Sequence, residues 1–135
     1  MVRLLLRPTS LFRYADANPH IMAEFKTTTE DNLQVLEITG RIEPSSGKSL
    51  SEALDALLQP GKPTKVLIDL GGLDYIASAG FREFFLFGKK LAREGGTLAI
   101  SSLQGEVKRV FELAGFASAY PIFPTREAGI AHFSA

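Results

Sequence analysis

The run Val66-Leu67-Ile68 constrains this chain more than any other stretch. An apolar run without alternation, inside a segment as short as Lys65–Leu70, reads as a strand buried on both faces. Such a strand needs a covering layer on each side, which points to an α/β fold with a mostly parallel sheet. The flanking sequence supplies the rest of it. Phe25–Thr29 and Leu33–Thr39 read as strands joined by the turn residues Glu30-Asp31-Asn32, an opening antiparallel hairpin with Leu33, Val35 and Leu36 or Ile38 toward the core. Ser45, Ser46 and Ser49 offer N-caps for a helix striped by Leu50, Ala53, Leu54, Leu57 and Leu58 and stopped by Pro60-Gly61. After the strand 65–70 and a short loop, a second helix is expected from about Ala79 to Arg93. Its apolar side carries Phe81, Phe84, Phe85, Gly88, Leu91 and Ala92. Thr97–Ser101 is a strand, and Gln104–Ala114 a helix striped by Val107, Val110, Phe111 and Ala114. Tyr120–Phe123 is a last short strand, and Thr125 caps a closing helix through Ile130 and Phe133. The expectation is a mixed, mostly parallel central sheet of four to five strands with about four helices.

A length of 135 residues fits one domain. Residues 1–23 read as a flexible N-terminal extension and 24–135 as the domain. The first 21 residues carry Arg3, Arg7 and Arg13 against Asp16, a net +2, which leaves −2 for the remainder. The extension reads either as loosely docked chain or as an interaction or targeting arm, and translation starting at Met22 is a further reading. Leu4-Leu5-Leu6 is too short for a secretory core, and Pro8 and Pro19 break any long surface helix. No apolar run approaches the roughly 18 residues that a membrane span requires.

Composition removes several chemistries. The chain has no Cys, so disulfides, thiol nucleophiles and thiolate metal sites are excluded. A formal net charge of zero argues against nucleic-acid binding through a broad basic face. His20 and His132 are the only histidines, neither beside a nucleophile motif. Ser46-Gly47-Lys48-Ser49 resembles the end of a phosphate loop, but the first Gly of that motif would fall on Ile42, and Pro44 has no N–H to offer. No catalytic residue, metal site or cofactor is expected, and the chain is read as a non-enzyme.

Ser78 is the residue the pattern singles out. It stands at the junction between the buried strand and the second helix, with small neighbours Ala77, Ala79 and Gly80. One reading makes Ser78 the N-cap of that helix. The other makes it a phosphate acceptor, because a helix N-terminus presents free N–H groups and a positive dipole end to an added anion. Arg82, one turn on, reads as a solvated side chain or as a partner for an acidic protein or the phosphate. Leu86 and Phe87 lie off the main stripe, so the helix is buried on a second side, self-associates, or carries a partner surface.

Several motifs in order resemble one family. Ala77-Ser78-Ala79-Gly80-Phe81 follows a strand as the D-S-[ST]-G-L turn does in the STAS family, named for sulfate transporters and anti-sigma factor antagonists. Gly40-Arg41-Ile42-Glu43, Gly95-Gly96-Thr97-Leu98 and Val107–Phe116 resemble further motifs of that family, and together these cover residues 24–133. The resemblance implies the STAS fold, with helices mainly on one face of the sheet. It also implies a cytoplasmic bacterial anti-sigma factor antagonist. Its partners would be an anti-sigma factor serine kinase, which phosphorylates Ser78 and so abolishes binding, and a metal-dependent serine phosphatase, which resets the switch. Partner contact is implied at Glu43, Ala77, Ser78, Ala79, Gly80 and Arg82. Ala77 stands where the family motif has Asp, and Ala79 where it has a second hydroxyl. These departures leave a rival reading open, an accessory STAS subunit of a transport or signalling assembly that binds without being phosphorylated.

Overall fold

The computed structural model describes residues 23–134; Met22 and the rest of the expected extension lie outside the described residues. The chain enters its sheet through a two-residue turn between β1 (Ala23–Glu30) and β2 (Leu33–Ile42). Asp31 takes φ 54° there, a left-handed conformation that Asp tolerates better than most residues. Ala23, 2 % exposed, already belongs to β1, so the strand takes in a residue expected in the extension. There follow α1 (Gly47–Ala56), β3 (Lys65–Ile76), α2 (Ser78–Arg93), β4 (Thr97–Ser101), α3 (Gly105–Leu113), β5 (Ile122–Phe123) and α4 (Arg126–Ser134).

The five strands form one sheet in sequence order, β1 antiparallel to β2 and every later pair parallel. This order explains the layering. Right-handed crossovers that always step in one direction put consecutive helices on the same face. Accordingly Leu50 and Leu54 of α1, Phe84 and Leu91 of α2, and Val107 and Phe111 of α3 pack with strand residues such as Leu36, Ile38, Val66 and Ile68. The opposite face is smaller. There Leu33, Val35, Leu67 and Ala99 lie beneath Phe123 and the α4 residues Ile130 and Phe133. The expected burial of the central strand on both faces is met, Val66, Leu67 and Ile68 all being 0 % exposed.

Polar anchors position the helices. Thr125 accepts the Ala128 N–H at 3.0 Å, the N-cap expected for α4. Gln34, buried on the helix-bearing face, donates from Nε2 to Leu57 O at 2.9 Å and Pro63 O at 2.8 Å, satisfying carbonyls at the end of α1 and in the loop after it.

Three expectations are corrected. The second helix buries Phe87 and exposes Ala92, so its inner face is centred on Phe84, Phe87, Gly88 and Leu91. Phe87 faces inward because α2 packs against α1 as well as α3. Ser46 occupies the N-cap position of α1 but does not cap it; its hydroxyl accepts the Glu43 N–H at 3.3 Å, tightening a 3-10 turn over Pro44–Ser46. Finally, β3 does not end near Leu70 but runs to Ile76. Lys48 and Ser49 lie within α1, so the Gly-Lys-Ser run builds a helix start. Among the described residues no helix is long and apolar enough to cross a membrane.

Candidate functional site

The length of β3 builds the site. Between Glu37↔Asp69 and Arg41↔Tyr75 the register advances four residues on β2 and six on β3, so β3 absorbs two extra residues in bulges. Gly72 allows this, because a Cβ there would come within 2.6 Å of Thr39 Cγ2. After the bulges Ile42 pairs with Ile76, and the residues that follow, Glu43 and Ala77, leave the sheet side by side. The Ala77 N–H donates to Ile42 O at 2.8 Å.

Ala77 is the N-cap of α2, with extended backbone (φ −76°, ψ 155°) and no side-chain cap. Ser78 is therefore the first helical residue and not the cap. The first intrahelical bond runs from Phe81 N–H to Ala77 O at 3.0 Å, so the N–H groups of Ser78, Ala79 and Gly80 receive no acceptor from the helix. Ser78 and Ala79 are exposed. Among the described residues the Ser78 hydroxyl has no hydrogen-bond partner, and Arg82 enters no ion pair. Gly80 is buried and seats the helix on the strand ends, since a Cβ at this position would lie 2.5 Å from Ile42 Cγ2.

The same end of the sheet carries a cation held in place. Arg41 Nε donates to Glu43 Oε2 at 2.8 Å, and the guanidinium lies 4.5 Å from the Tyr75 ring centroid. The structure thus gathers Glu43, Ala77, Ser78, Ala79 and Gly80 at one rim, with Arg82 one turn further along α2. It adds Arg41 and Tyr75, which the sequence reading did not select as site residues. Their pairing depends on the second bulge, which shifts Tyr75 opposite Arg41.

Along α2, Ser78, Arg82 and Leu86 follow at four-residue spacing and form an exposed ridge, Leu86 being 38 % exposed. Beside it Phe81 and Phe85 are half-buried. They pack edge-on to each other at 5.2 Å, with Phe111 4.9 Å from Phe81 and Phe116 4.9 Å from Phe85. His132 stacks on Phe123 at 4.9 Å, and His20 lies outside the described residues. Among the described residues no group of His, Asp and Glu is placed to hold a metal ion.

A five-stranded sheet opened by a hairpin, with three crossover helices on one face and a Ser-bearing helix start at the strand ends, defines a class of small α/β domain. The chain belongs to the STAS domain family, whose model matches residues 24–129. A protein of Bordetella bronchiseptica, BtrV, named as a candidate anti-sigma factor antagonist, is 36% identical over 103 residues, covering 76% of this chain and 88% of its own. The crystal structure of an anti-sigma factor antagonist from Mycobacterium paratuberculosis matches with a TM-score of 0.75 at 21% identity, covering 84% of this chain and 95% of that one. The Bacillus cell fate determinant SpoIIAA, solved in its phosphorylated form, matches with a TM-score of 0.66 at 14% identity, over 81% of this chain and 98% of that one. These two structures share the fold.

Proposed function

We propose that this chain is an anti-sigma factor antagonist that binds an anti-sigma factor serine kinase and is switched off by phosphorylation of Ser78. Residues 24–135 act as the STAS domain, joined by Ala23, which is already paired in β1, and the residues before it act as an extension. The observation that carries the reading is the state of Ser78: an exposed, unbonded hydroxyl on the first residue of α2, beside three N–H groups without helical acceptors. The 36% identity to BtrV supports the choice of partner class.

In this reading the kinase transfers the γ-phosphoryl of ATP to Ser78 Oγ, releasing ADP and the hydroxyl proton. The free helix N–H groups and the dipole end favour the product within the antagonist. The rim formed by Glu43, Ala77, Ser78, Ala79, Gly80 and Arg82 meets the kinase. A phosphate adds about −1.5 to −2 charges in the middle of that contact, and an uncompensated dianion at a desolvating interface costs several kcal/mol. Each 1.4 kcal/mol is about tenfold in affinity, so one phosphate suffices for a switch. A metal-dependent serine phosphatase restores the hydroxyl. The antagonist acts by binding in the cytoplasm and catalyses nothing itself.

Ala77 bears on the details. It leaves the helix without the carboxylate cap of the family motif, which lowers charge repulsion against the phosphate and leaves the N–H groups free for it. The test is incubation with an anti-sigma factor serine kinase and ATP, followed by phosphosite mapping by mass spectrometry. Phosphate on Ser78, lost in Ser78→Ala, is the expected result. Unmodified Ser78, together with full partner binding by Ser78→Asp, would establish the accessory-subunit reading instead.

A further inference from the structure

Among the described residues, β5 is too short to cover the whole edge of β4. β5 pairs only Ile100 with Ile122 and Ser101 with Phe123, although β4 begins at Thr97. Both backbone groups of a strand residue point to the same side, and successive residues alternate sides. The Thr97 N–H donates at 3.0 Å to Thr64 O on the β3 side, while the Ile100 and Ser102 N–H groups donate at 3.0 Å to Pro121 O and Phe123 O on the β5 side. Leu98 shares the alternation of Ile100, so its N–H and C=O face the uncovered edge. The residue placed to donate to Leu98 C=O is Pro121, which has no N–H. Among the described residues neither group of Leu98 has a partner on that side.

Leu98 is 3 % exposed, so these two groups lie at the base of a cavity and not on open surface. The cavity measures about 450 Å³, within the range of ligand sites. Ala92, Tyr120 and Phe133 give it apolar walls, and Lys65 and His132 stand among its lining, which among the described residues includes no carboxylate. Gly88 lets the Tyr120 ring lie against α2, because a Cβ there would occupy the position of the phenol. The notch opens at the N-terminal ends of the parallel strands, the opposite end of the sheet from Ser78.

We infer that this notch receives a short extended peptide from another protein, with an apolar residue flanked by acidic ones, added as a strand to the edge of β4. One residue of an extended peptide, through the two peptide units that flank it, supplies both the acceptor and the donor that Leu98 lacks, whereas a simple carboxylate meets the N–H but opposes the C=O. The apolar walls take the central side chain, and Lys65, the one cation in the described lining, whose Nζ also donates to Phe133 O at 3.4 Å, selects the flanking charge. The site is independent of the Ser78 reading.

The test is amide NMR titration of the full 135-residue chain with acetyl-Glu-Val-Glu-Val-amide, against acetyl-Lys-Val-Lys-Val-amide and decanoate. The acidic peptide is expected to shift the amides of Thr97, Leu98 and Ala99, about tenfold more tightly than the basic peptide at low ionic strength, the gap narrowing as salt screens Lys65. Ala92→Phe, at an exposed position on α2, fills the notch and abolishes these shifts while the remaining spectrum stays native. No shift at Leu98, equal responses to both peptides, or shifts that survive Ala92→Phe would overturn the inference. Decanoate moving Leu98 as strongly as the acidic peptide would overturn it too, by assigning the notch to a small amphipathic anion.

Discussion

Replacing Gly80 by Ala tests how α2 is seated on the strand ends. On helix propensity alone the change gains about 1 kcal/mol. The structure reverses that sign. The new Cβ would lie 2.5 Å from Ile42 Cγ2, well inside the carbon–carbon optimum of about 3.5–4.0 Å, while Ile76 Cγ1 at 3.4 Å would be in ordinary contact. Ile42 cannot yield cheaply, since it is 0 % exposed and its γ-methyl sits directly on a branched Cβ. Overpacking of this kind costs about 1–3 kcal/mol, and a rigid, enclosed neighbour places it near the top of that range. Setting about 3 against about 1 leaves a net loss of about 2 kcal/mol, or roughly 6–12 °C in Tm for a domain this size. Gly47→Ala is the control. It is also helical, at φ −54° and ψ −41°, and a Cβ there meets nothing within 4 Å. That substitution gains about 0.4–1 kcal/mol. Urea unfolding of both variants beside wild type decides the matter. Gly80→Ala as stable as wild type, or more stable, would refute the close seating of α2 on Ile42.

Three further substitutions test other parts of the account by the same unfolding assay. Phe111→Ala empties the centre of the aromatic cluster, where Phe111 is 0 % exposed and lies 4.9 Å from both Phe81 and Phe116, and it costs about 3–5 kcal/mol. Thr125→Ala removes the 3.0 Å cap on the Ala128 N–H and costs about 1 kcal/mol. Ala77→Asp supplies an acceptor to the bare start of α2 and gains about 1 kcal/mol; no gain would mean that the free N–H groups are already served by solvent.

Most of the architecture was legible because period and punctuation agreed. The alternation at Leu33 and Val35, the Pro60-Gly61 stop and the cap at Thr125 each carry a local cause that survives folding. The misread places are those where tertiary contacts decide. Gly71-Gly72 reads as a loop, yet here it carries the first of two bulges, the second falling between Leu73 and Tyr75, and β3 stays paired with β2 as far as Ile76. Phe87 falls off a one-sided helical stripe and is buried only because α1 packs on a second side. Ser46 has the composition of a cap, but its hydroxyl is taken by Glu43. At the site, Ser78, Gly80 and Glu43 were visible as motif positions. Arg41 over Tyr75 was not, because that contact exists only once β3 has absorbed two extra residues.

The central claim is that a phosphate on Ser78 closes the kinase-binding rim. Its most direct measurement is calorimetric titration of an anti-sigma factor serine kinase with the unmodified chain and with the same chain phosphorylated on Ser78. Phosphorylation is expected to weaken binding by at least about 100-fold, or about 2.7 kcal/mol. Equal affinity of the two forms would contradict it.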